Sequence, residues 1–360
     1  MGTEPQSIMG WDIGGANLKA ALITIESGRI TRRKYHARPF EVWKESHFLS
    51  AALQDIGRGL NWQPDMAMGV TMTAELADAF RSKREGVLFV LNEMEHAFGT
   101  NRIKAFNLAG EFQPLSEAAR DPLAYAATNW IASARLVAQR HPDCLFMDIG
   151  STTSDIIPIA GGEIKAKGRT DTQRLARGEL VYSGMLRTNP NTIIQQAPIR
   201  GQYCRVTAEY FTIMADVYRI LGRIAKEDYT CASPDGRSSS LEHCRERLAR
   251  LPCADAEMLK PVEIEALAAY LADKQLQQVC EAMHQVVSAL DGTRKLPVVA
   301  VGPGSFIAMQ AARRLGLDPV ELAHDRDNGA PASLPALAVA VLLAGVKYDW
   351  TASLNKDWAA

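Results

Sequence analysis

The same short pattern occurs twice in this chain: an apolar run, an aspartate, an isoleucine, a glycine turn and a second apolar run. The first copy reads IMGWDIGGANLKAALITI, with Asp12 before Gly14 and Gly15. The second reads LFMDIGSTTSDIIPI, with Asp148 before Gly150. Two apolar runs joined by a glycine turn are typical of paired strands. Each copy is followed by another turn and a third strand, so the sequence predicts a duplicated supersecondary unit.

Helical patterns surround the two copies, and strands mixed with helices in two similar halves predict an α/β protein. The chain has 360 residues, and single cores stop growing near ~250–300 residues, so we expect two domains. These are residues 1–141 and 142–331, with a helical insertion at about 207–290 and a C-terminal helix, within 332–360, that returns to the first domain. The pattern predicts helices over 45–60, 82–98, 121–140, 207–225, 239–250, 262–290 and 332–347.

Glycine turns at the tips of hairpins point to phosphate binding, because backbone amides without a nearby Cβ can approach an anion. In the Rossmann fingerprint and the P-loop a helix follows the glycine turn, whereas a strand follows it here. A third turn, GPGS, precedes a helix that we expect Ser305 to cap. The predicted phosphate-binding residues are Gly14, Gly15, Asn17, Gly150, Ser151, Thr152, Thr153, Gly302 and Gly304.

Composition excludes some classes of function. The formal net charge is −1, which gives the chain no overall attraction for nucleic acid or anionic lipid. No apolar run approaches the ~20 residues that span a bilayer, and no signal-peptide pattern begins the sequence, so we expect a cytoplasmic protein. The six cysteines form no Cys-x-x-Cys pair. The spacing of Cys231, His243, Cys244 and Cys253 matches no common zinc pattern, and free thiols are expected.

The three glycine turns, in this order, resemble the superfold of sugar kinases, heat-shock 70 proteins and actin. That resemblance implies duplicated actin-like or hexokinase-like (ribonuclease H-like) domains with a ligand cleft between them. Within it, DIGGANLKAAL and MDIGSTTSDI look most like the hydantoinase/oxoprolinase branch. That branch usually carries Thr, Phe, Thr and Asp where Ala16, Asn17, Leu18 and Lys19 stand here, and this departure argues against its ATP-dependent amide hydrolysis.

Three further segments, GVTMTAELADAF, REGV and RLARGELVYSGMLRT, resemble a family encoded with tetrahydromethanopterin-linked one-carbon genes and similar to an archaeal methylofuran-pathway synthase. The resemblance implies a transferase that joins an (aminomethyl)furanylmethyl diphosphate to the phenol oxygen of γ-glutamyltyramine and releases pyrophosphate. Mg²⁺ is the expected cofactor and ATP is not required. The expected partners are these small molecules, with neither nucleic acid nor membrane, and a homo-oligomer is compatible with the sequence.

Candidate site residues follow from this chemistry. Asp12 and Asp148 end strands beside the glycine turns, where carboxylates can hold Mg²⁺ against phosphate oxygens. Lys19 either reaches the phosphate or is a solvated strand lysine. Asp155 and Glu75 are candidate bases for the phenol; the alternatives are a metal-orienting or hydrogen-bonding role for Asp155 and a helix cap for Glu75. The candidate substrate-binding residues are Thr71, Thr73 and Arg177.

Two other functions stay open at this stage. One is an ATP-dependent small-molecule kinase or amide hydrolase, which the superfold alone favours. The other is a non-catalytic nucleotide-binding scaffold. ATP turnover would distinguish the first of these from the transferase, and nucleotide binding without turnover would indicate the second.

Overall fold

The computed structural model describes residues 5–99, 102–290, 296–322 and 333–349. The strands in this part of the chain are β1 (Gln6–Ile13), β2 (Asn17–Glu26), β3 (Arg29–Pro39), β4 (Ala67–Met72), β5 (Ile103–Phe106), β6 (Phe112–Pro114), β7 (Cys144–Ile149), β8 (Ser154–Ala160), β9 (Glu163–Ile164), β10 (Leu180–Val181), β11 (Gln196–Ile199), β12 (Gln202–Arg205), β13 (Val298–Val301) and β14 (Pro319–Glu321). The helices are α1 (Val42–Glu45), α2 (Leu49–Gly59), α3 (Lys83–Phe98), α4 (Leu115–Ala118), α5 (Asn129–Ala138), α6 (Asp171–Ala176), α7 (Met214–Ile220), α8 (Leu241–Ala249), α9 (Pro261–Ser288), α10 (Ser305–Arg314) and α11 (Leu334–Ala344). Short 3₁₀ turns cover Ser46–Phe48, Ala74–Leu76, Pro122–Tyr125 and Pro190–Thr192.

The chain forms two compact units. Among the described residues, the first comprises 5–99, 102–143, 159–165 and 333–349, and the second comprises 144–158, 166–290 and 296–322. The segment that contains α11 therefore groups with the N-terminal half. The predicted cleft between the two halves stays a prediction.

The first unit is built on a six-stranded sheet in the order β3-β2-β1-β4-β5-β6. β1 and β2 pair antiparallel as the predicted hairpin, whereas β1, β4 and β5 run parallel. Helix α11 lies directly on this sheet, since a Cβ at Gly10 would lie 2.0 Å from the carbonyl oxygen of Ala336. The glycine in β1 is thus required for close packing, and the buried apolar residues of α11 contact the same sheet.

The second unit repeats the plan with the sheet order β10-β8-β7-β13-β14. β9 pairs with the last two residues of β8, and this pairing belongs to the segment 159–165 of the first unit. β7 and β8 are the predicted second hairpin, and β7, β13 and β14 run parallel. A small sheet of β11 and β12 and the helices α7, α8 and α9 are additional to the repeated core. The α/β class and the duplicated actin-like plan predicted from the sequence are confirmed.

Some predicted helices are shorter in the structure. Residues 121–140 form a 3₁₀ turn and then α5, because Ala127 adopts a left-handed φ of +49° that no α-helix accommodates. Residues 207–225 contain only α7, where the side chain of Asp216 accepts the backbone amide of Ile213 and starts the helix. The predicted helix over 45–60 begins as separate short turns before α2, and the third strand of the second copy is reduced to β9.

A buried ionic network holds the helical insertion together. Arg247 and Asp216 are both fully buried, and Nη2 of Arg247 donates to Oδ1 of Asp216 over 2.6 Å. Arg247 also binds Asp235, which lies in the polar loop before α8. Burial raises the pKa of Asp235, but hydrogen bonds from Arg237 and the charge of Arg247 outweigh burial and lower that pKa to about 2. The network therefore fixes this loop by charge pairing, in addition to the packing of Tyr229 and Cys231 against the apolar core.

No helix in the described residues is long and apolar enough to cross a membrane.

Candidate active site

The tip of the first hairpin directs its carbonyl groups into the protein. The amide of Gly14 closes the turn by donating to the carbonyl oxygen of Asn17 over 3.0 Å. The carbonyl oxygens of Gly15 and Ala16 accept the amides of Val42 and Phe40 from the segment after β3. The amides of Gly15 and Ala16 donate no hydrogen bond to any described residue. Two successive unbonded amides at a half-buried turn form the kind of concavity that binds anions.

The second hairpin reproduces this arrangement. The amide of Gly150 donates to the carbonyl oxygen of Thr153 over 2.9 Å. The carbonyl oxygens of Gly150 and Ser151 accept amides from residues 185–187. The amides of Ser151 and Thr152 donate no hydrogen bond within the described part of the chain. The repeat in the sequence is therefore a repeat in backbone hydrogen bonding, and each tip has the donors for one phosphate group.

Asp12 and Lys19 lie opposite each other in the register of β1 and β2. Nζ of Lys19 is 3.2 Å from Oδ2 of Asp12, whose side chain is only 2% exposed. Oδ1 of Asp12 has no hydrogen-bond partner among the described residues. A buried carboxylate oxygen is costly to leave unsatisfied, so this atom is suited to a bound cation or a ligand hydrogen bond. The ammonium of Lys19 contacts the carboxylate rather than extending into solvent.

The third glycine turn lies against the end of β7. Gly302 has a φ of +84°, and a Cβ there would lie 2.5 Å from Oδ1 of Asp148. A Cβ at Gly304 would lie 2.4 Å from the side chain of Ile149, and the amide of Gly304 donates to the carbonyl oxygen of Ile149. Both glycines are needed so that the turn can approach Asp148. The predicted cap is corrected: Gly304 is the N-cap, and Ser305 is the first residue of α10.

Asp155 forms an ion pair that the sequence did not predict. Its Oδ1 accepts Nη2 of Arg174 over 2.9 Å, and Arg174 is 2% exposed. The same Nη2 donates to the carbonyl oxygen of Glu179, whose carboxylate accepts the amides of Lys167 and Gly168. Asp155, a predicted candidate base, is thus held by the buried guanidinium of Arg174. That guanidinium is fixed in turn by the carbonyl oxygen of Glu179. This geometry fits the hydrogen-bonding role of Asp155 at least as well as the role of a base.

Arg174 was missed because four arginines occur in this region and nothing in the sequence distinguishes the buried one. The predicted substrate ligand Arg177 is exposed at the end of α6. Arg187 is half-buried, and its amide donates to the carbonyl oxygen of Ser151. Gln275 was also missed, although a signal exists: it is a polar residue in the buried i, i+4 stripe of α9 that contains Leu271 and Val279.

Glu75 is 1% exposed and lies in the 3₁₀ turn that follows β4. Helix α3 packs tightly on this turn, since a Cβ at Gly86 would lie 2.4 Å from the carbonyl oxygen of Glu75. The cap of α3 is Ser82 and not Glu75, so the helix-cap alternative for Glu75 is wrong. Burial and tight packing leave Glu75 a candidate base.

The two threonines of the first unit differ in their surroundings. Thr73 donates its amide to the carbonyl oxygen of Ile13, and its Oγ1 lies 3.6 Å from where a Cβ at Gly14 would be. Thr73 is therefore beside the first hairpin tip. Thr71 is fully buried, and its hydroxyl lies 2.7 Å from that of Thr128. Its role in substrate binding stays a prediction, and its hydroxyl contact is with the residue that precedes α5.

In the residues that the structure describes, no group of three or more His, Cys, Asp or Glu side chains could hold a metal ion. The six cysteines are free thiols. A protein-only metal cage is thus not present in that part of the chain. A cation near Asp12 or Asp148 would need ligand oxygens from substrate or water, which is the usual situation for Mg²⁺.

Comparison with known proteins identifies the class. The hydantoinase/oxoprolinase family model matches residues 67–345, so the chain belongs to the hydantoinase/oxoprolinase family, as the glycine hairpins predict. It is 35% identical over 337 residues to the (4-{4-[2-(gamma-L-glutamylamino)ethyl]phenoxymethyl}furan-2-yl)methanamine synthase of Methanocaldococcus jannaschii, covering 93% of this chain and 97% of that protein. The synthase of the same name from Methanococcus vannielii is 28% identical over 219 residues, 60% of this chain and 96% of that one.

Among solved structures, nucleotide-free acetone carboxylase is similar with a TM-score of 0.56 and 11% identity, covering 94% of this chain and 70% of that one. At this identity the likeness supports the fold alone. The predicted similarity to the methylofuran-pathway synthase is confirmed by the two relatives.

Proposed function

We propose that the protein is a transferase of cofactor biosynthesis that makes an aryl ether from an organic diphosphate. The donor is an (aminomethyl)furanylmethyl diphosphate and the acceptor is γ-glutamyltyramine. The name of the M. jannaschii relative describes a product in which a phenoxymethyl link joins the two parts. An ether of this kind requires one new bond between a phenol oxygen and a furanylmethyl carbon.

The observation that supports the proposal is the pair of hairpin tips, each with two unbonded amides beside a strand-end aspartate. Preorganised backbone donors stabilise the charge that develops on a leaving group. The phenol oxygen forms its bond to the methylene carbon, and the carbon–oxygen bond to the diphosphate breaks. Pyrophosphate leaves with the electron pair, and the phenol proton passes to a base. The furan ring stabilises positive charge on the carbon, so leaving-group stabilisation is the main task of the protein.

Asp12 and Lys19 serve the leaving group in this proposal. The ammonium of Lys19 contributes a fixed positive charge beside the first tip, held in place by its ion pair with Asp12. The unsatisfied Oδ1 of Asp12 fits a bound Mg²⁺, and Asp148 is the corresponding carboxylate at the second tip. When bound, Mg²⁺ would supply charge neutralisation for the phosphate oxygens.

The proton acceptor is one of two carboxylates. Glu75 is buried in the 3₁₀ turn that follows β4, next in sequence to the segment of Thr73 beside the first hairpin tip. Asp155 is ion-paired with Arg174, which suits orientation of the phenol hydroxyl. Both stay candidates for proton removal, Glu75 in the first unit and Asp155 in the second.

The test is to incubate the purified protein with Mg²⁺, the furan diphosphate and γ-glutamyltyramine, without nucleotide. We expect the ether by mass spectrometry and an equal amount of pyrophosphate. Parallel samples contain ATP in place of the diphosphate, and a Lys19→Met variant is compared with Lys44→Met, which alters an exposed ion pair of the same unit. The proposal is supported if the wild type and Lys44→Met form the ether and Lys19→Met does not. ADP formation without ether would instead indicate a kinase or amide hydrolase.

A further inference from the structure

Ser183 and Gly184, which follow β10, are held against the second hairpin by hydrogen bonds and packing on two sides. On the hairpin side, Oγ of Ser154 donates to the carbonyl oxygen of Ser183, and a Cβ at Gly184 would lie 2.5 Å from the amide nitrogen of Thr152. On the other side, Nε2 of the buried Gln275 donates to Oγ of Ser183 and to the carbonyl oxygen of Gly184. The backbone at 183–184 is therefore rigid and lies in direct contact with the predicted phosphate-binding turn.

Tyr182 directly precedes Ser183 and Gly184. In the antiparallel pairing of β10 and β8, Leu180 is opposite Asp155 and Val181 is opposite Ser154. β10 ends at Val181, and Tyr182 is the next residue, two positions after the Leu180 that pairs with Asp155. Its backbone therefore lies within a few residues' length of Asp155, between that carboxylate's strand partner and the second hairpin tip.

The side chain of Tyr182 is 60% exposed although its backbone is held on both sides. It makes no hydrogen bond, ion pair or ring contact with any described residue. Single exposed aromatics are common on protein surfaces. The position of Tyr182 sets it apart. Its ring is exposed, the backbone beside it is rigid, and a hairpin tip and a carboxylate lie nearby. Such a ring is preorganised to bind a ligand that contains a ring.

We propose that Tyr182 is the platform on which the phenol ring of the acceptor stacks. The inference rests on the proposed function, which requires a phenol oxygen to approach the carbon that carries the diphosphate. Asp155, the strand partner of Leu180, can accept a hydrogen bond from the phenol hydroxyl while the ring of Tyr182 packs against the aromatic ring. Offset stacking is worth about 0.5–1.5 kcal/mol beyond area burial, which corresponds to a change of about 2- to 12-fold in affinity.

The experiment compares Tyr182→Ala, Tyr182→Phe and Tyr203→Ala. Tyr203 is the matched control, since it is 65% exposed on β12. Ether formation is followed with each substrate varied in turn. We expect Tyr182→Ala to raise KM for γ-glutamyltyramine about 3- to 10-fold and to leave KM for the furan diphosphate within about twofold. Tyr182→Phe and Tyr203→Ala should leave both constants within about twofold.

An unchanged acceptor KM in Tyr182→Ala would overturn the inference, and so would a rise confined to the diphosphate KM, which would assign the ring to the furan. Thermal unfolding of Tyr182→Ala should match that of the wild type, because the ring is 60% exposed and makes no hydrogen bond, ion pair or ring contact with a described residue. Binding of γ-glutamyltyramine by calorimetry provides a readout without turnover. If the wild type makes no ether, the proposed function fails, whereas weaker acceptor binding by Tyr182→Ala alone would still support the platform.

Discussion

Replacing Lys19 by Met should destabilise the first unit because it removes the ammonium that contacts the buried carboxylate of Asp12. Asp12 is 2% exposed and Lys19 is 26% exposed. Removing one partner of a fully buried ion pair costs about 3–5 kcal/mol, and the partial exposure of Lys19 reduces the expected cost to about 2 kcal/mol. For a unit of this size that corresponds to a fall of about 4–8 °C in Tm.

The assay is thermal unfolding of the wild type, Lys19→Met, Asp12→Asn and the double variant. The double variant should recover part of the loss, since an amide needs no counter-charge, and the cycle should give a coupling energy of about 1–2 kcal/mol. Lys44→Met, which removes an exposed ion pair with Glu41, should change the free energy of unfolding by less than about 1 kcal/mol. Equal effects at positions 19 and 44, or a coupling energy of zero, would refute the reasoning.

Three further predictions follow from close contacts and from the ionic network. Gly302→Ala should strain a left-handed residue and push on Asp148, lowering activity at least tenfold while Tm falls by a few degrees; unaltered kinetics would contradict this. Gly86→Ala should displace the 3₁₀ turn that it contacts and reduce kcat more than KM, and an unchanged pH profile of kcat would count against Glu75 as the base. Asp235 has a folded-state pKa of about 2 against an ordinary 3.8, so its stabilisation is complete above the ordinary value and disappears as pH falls towards 2. The wild type should therefore exceed Asp235→Asn in Tm at pH 6 but not near pH 2, and a difference that persists in acid would exclude the ion pair as its cause.

The two hairpins could be predicted from the sequence because their determinants are local. Glycine at a turn between two apolar runs leaves few alternatives for the backbone, and the aspartate before each turn fixes where each strand ends. The register of Asp12 against Lys19 follows directly from the length of the first turn. The fold class could be predicted for the same reason, whereas the roles of the site residues stay predictions.

Features that depend on tertiary contacts could not be predicted from the sequence. No glycine or proline marks the helix break at Ala127 in the sequence. Asp121 and Pro122 mark only the start of a 3₁₀ turn. The burial of Arg174 depends on a turn whose amides are held by Glu179, a contact between residues that no spacing rule connects. Charged residues in one short segment look alike in sequence, and only the folded chain separates those that are buried from those that are exposed.

The most direct test of the account is to measure pyrophosphate release from the furan diphosphate as γ-glutamyltyramine is added, with Mg²⁺ and without ATP. The account predicts acceptor-dependent release with one ether formed per pyrophosphate, and loss of both in Lys19→Met. Absence of release under these conditions, together with conversion of ATP to ADP by the same preparation, would contradict it.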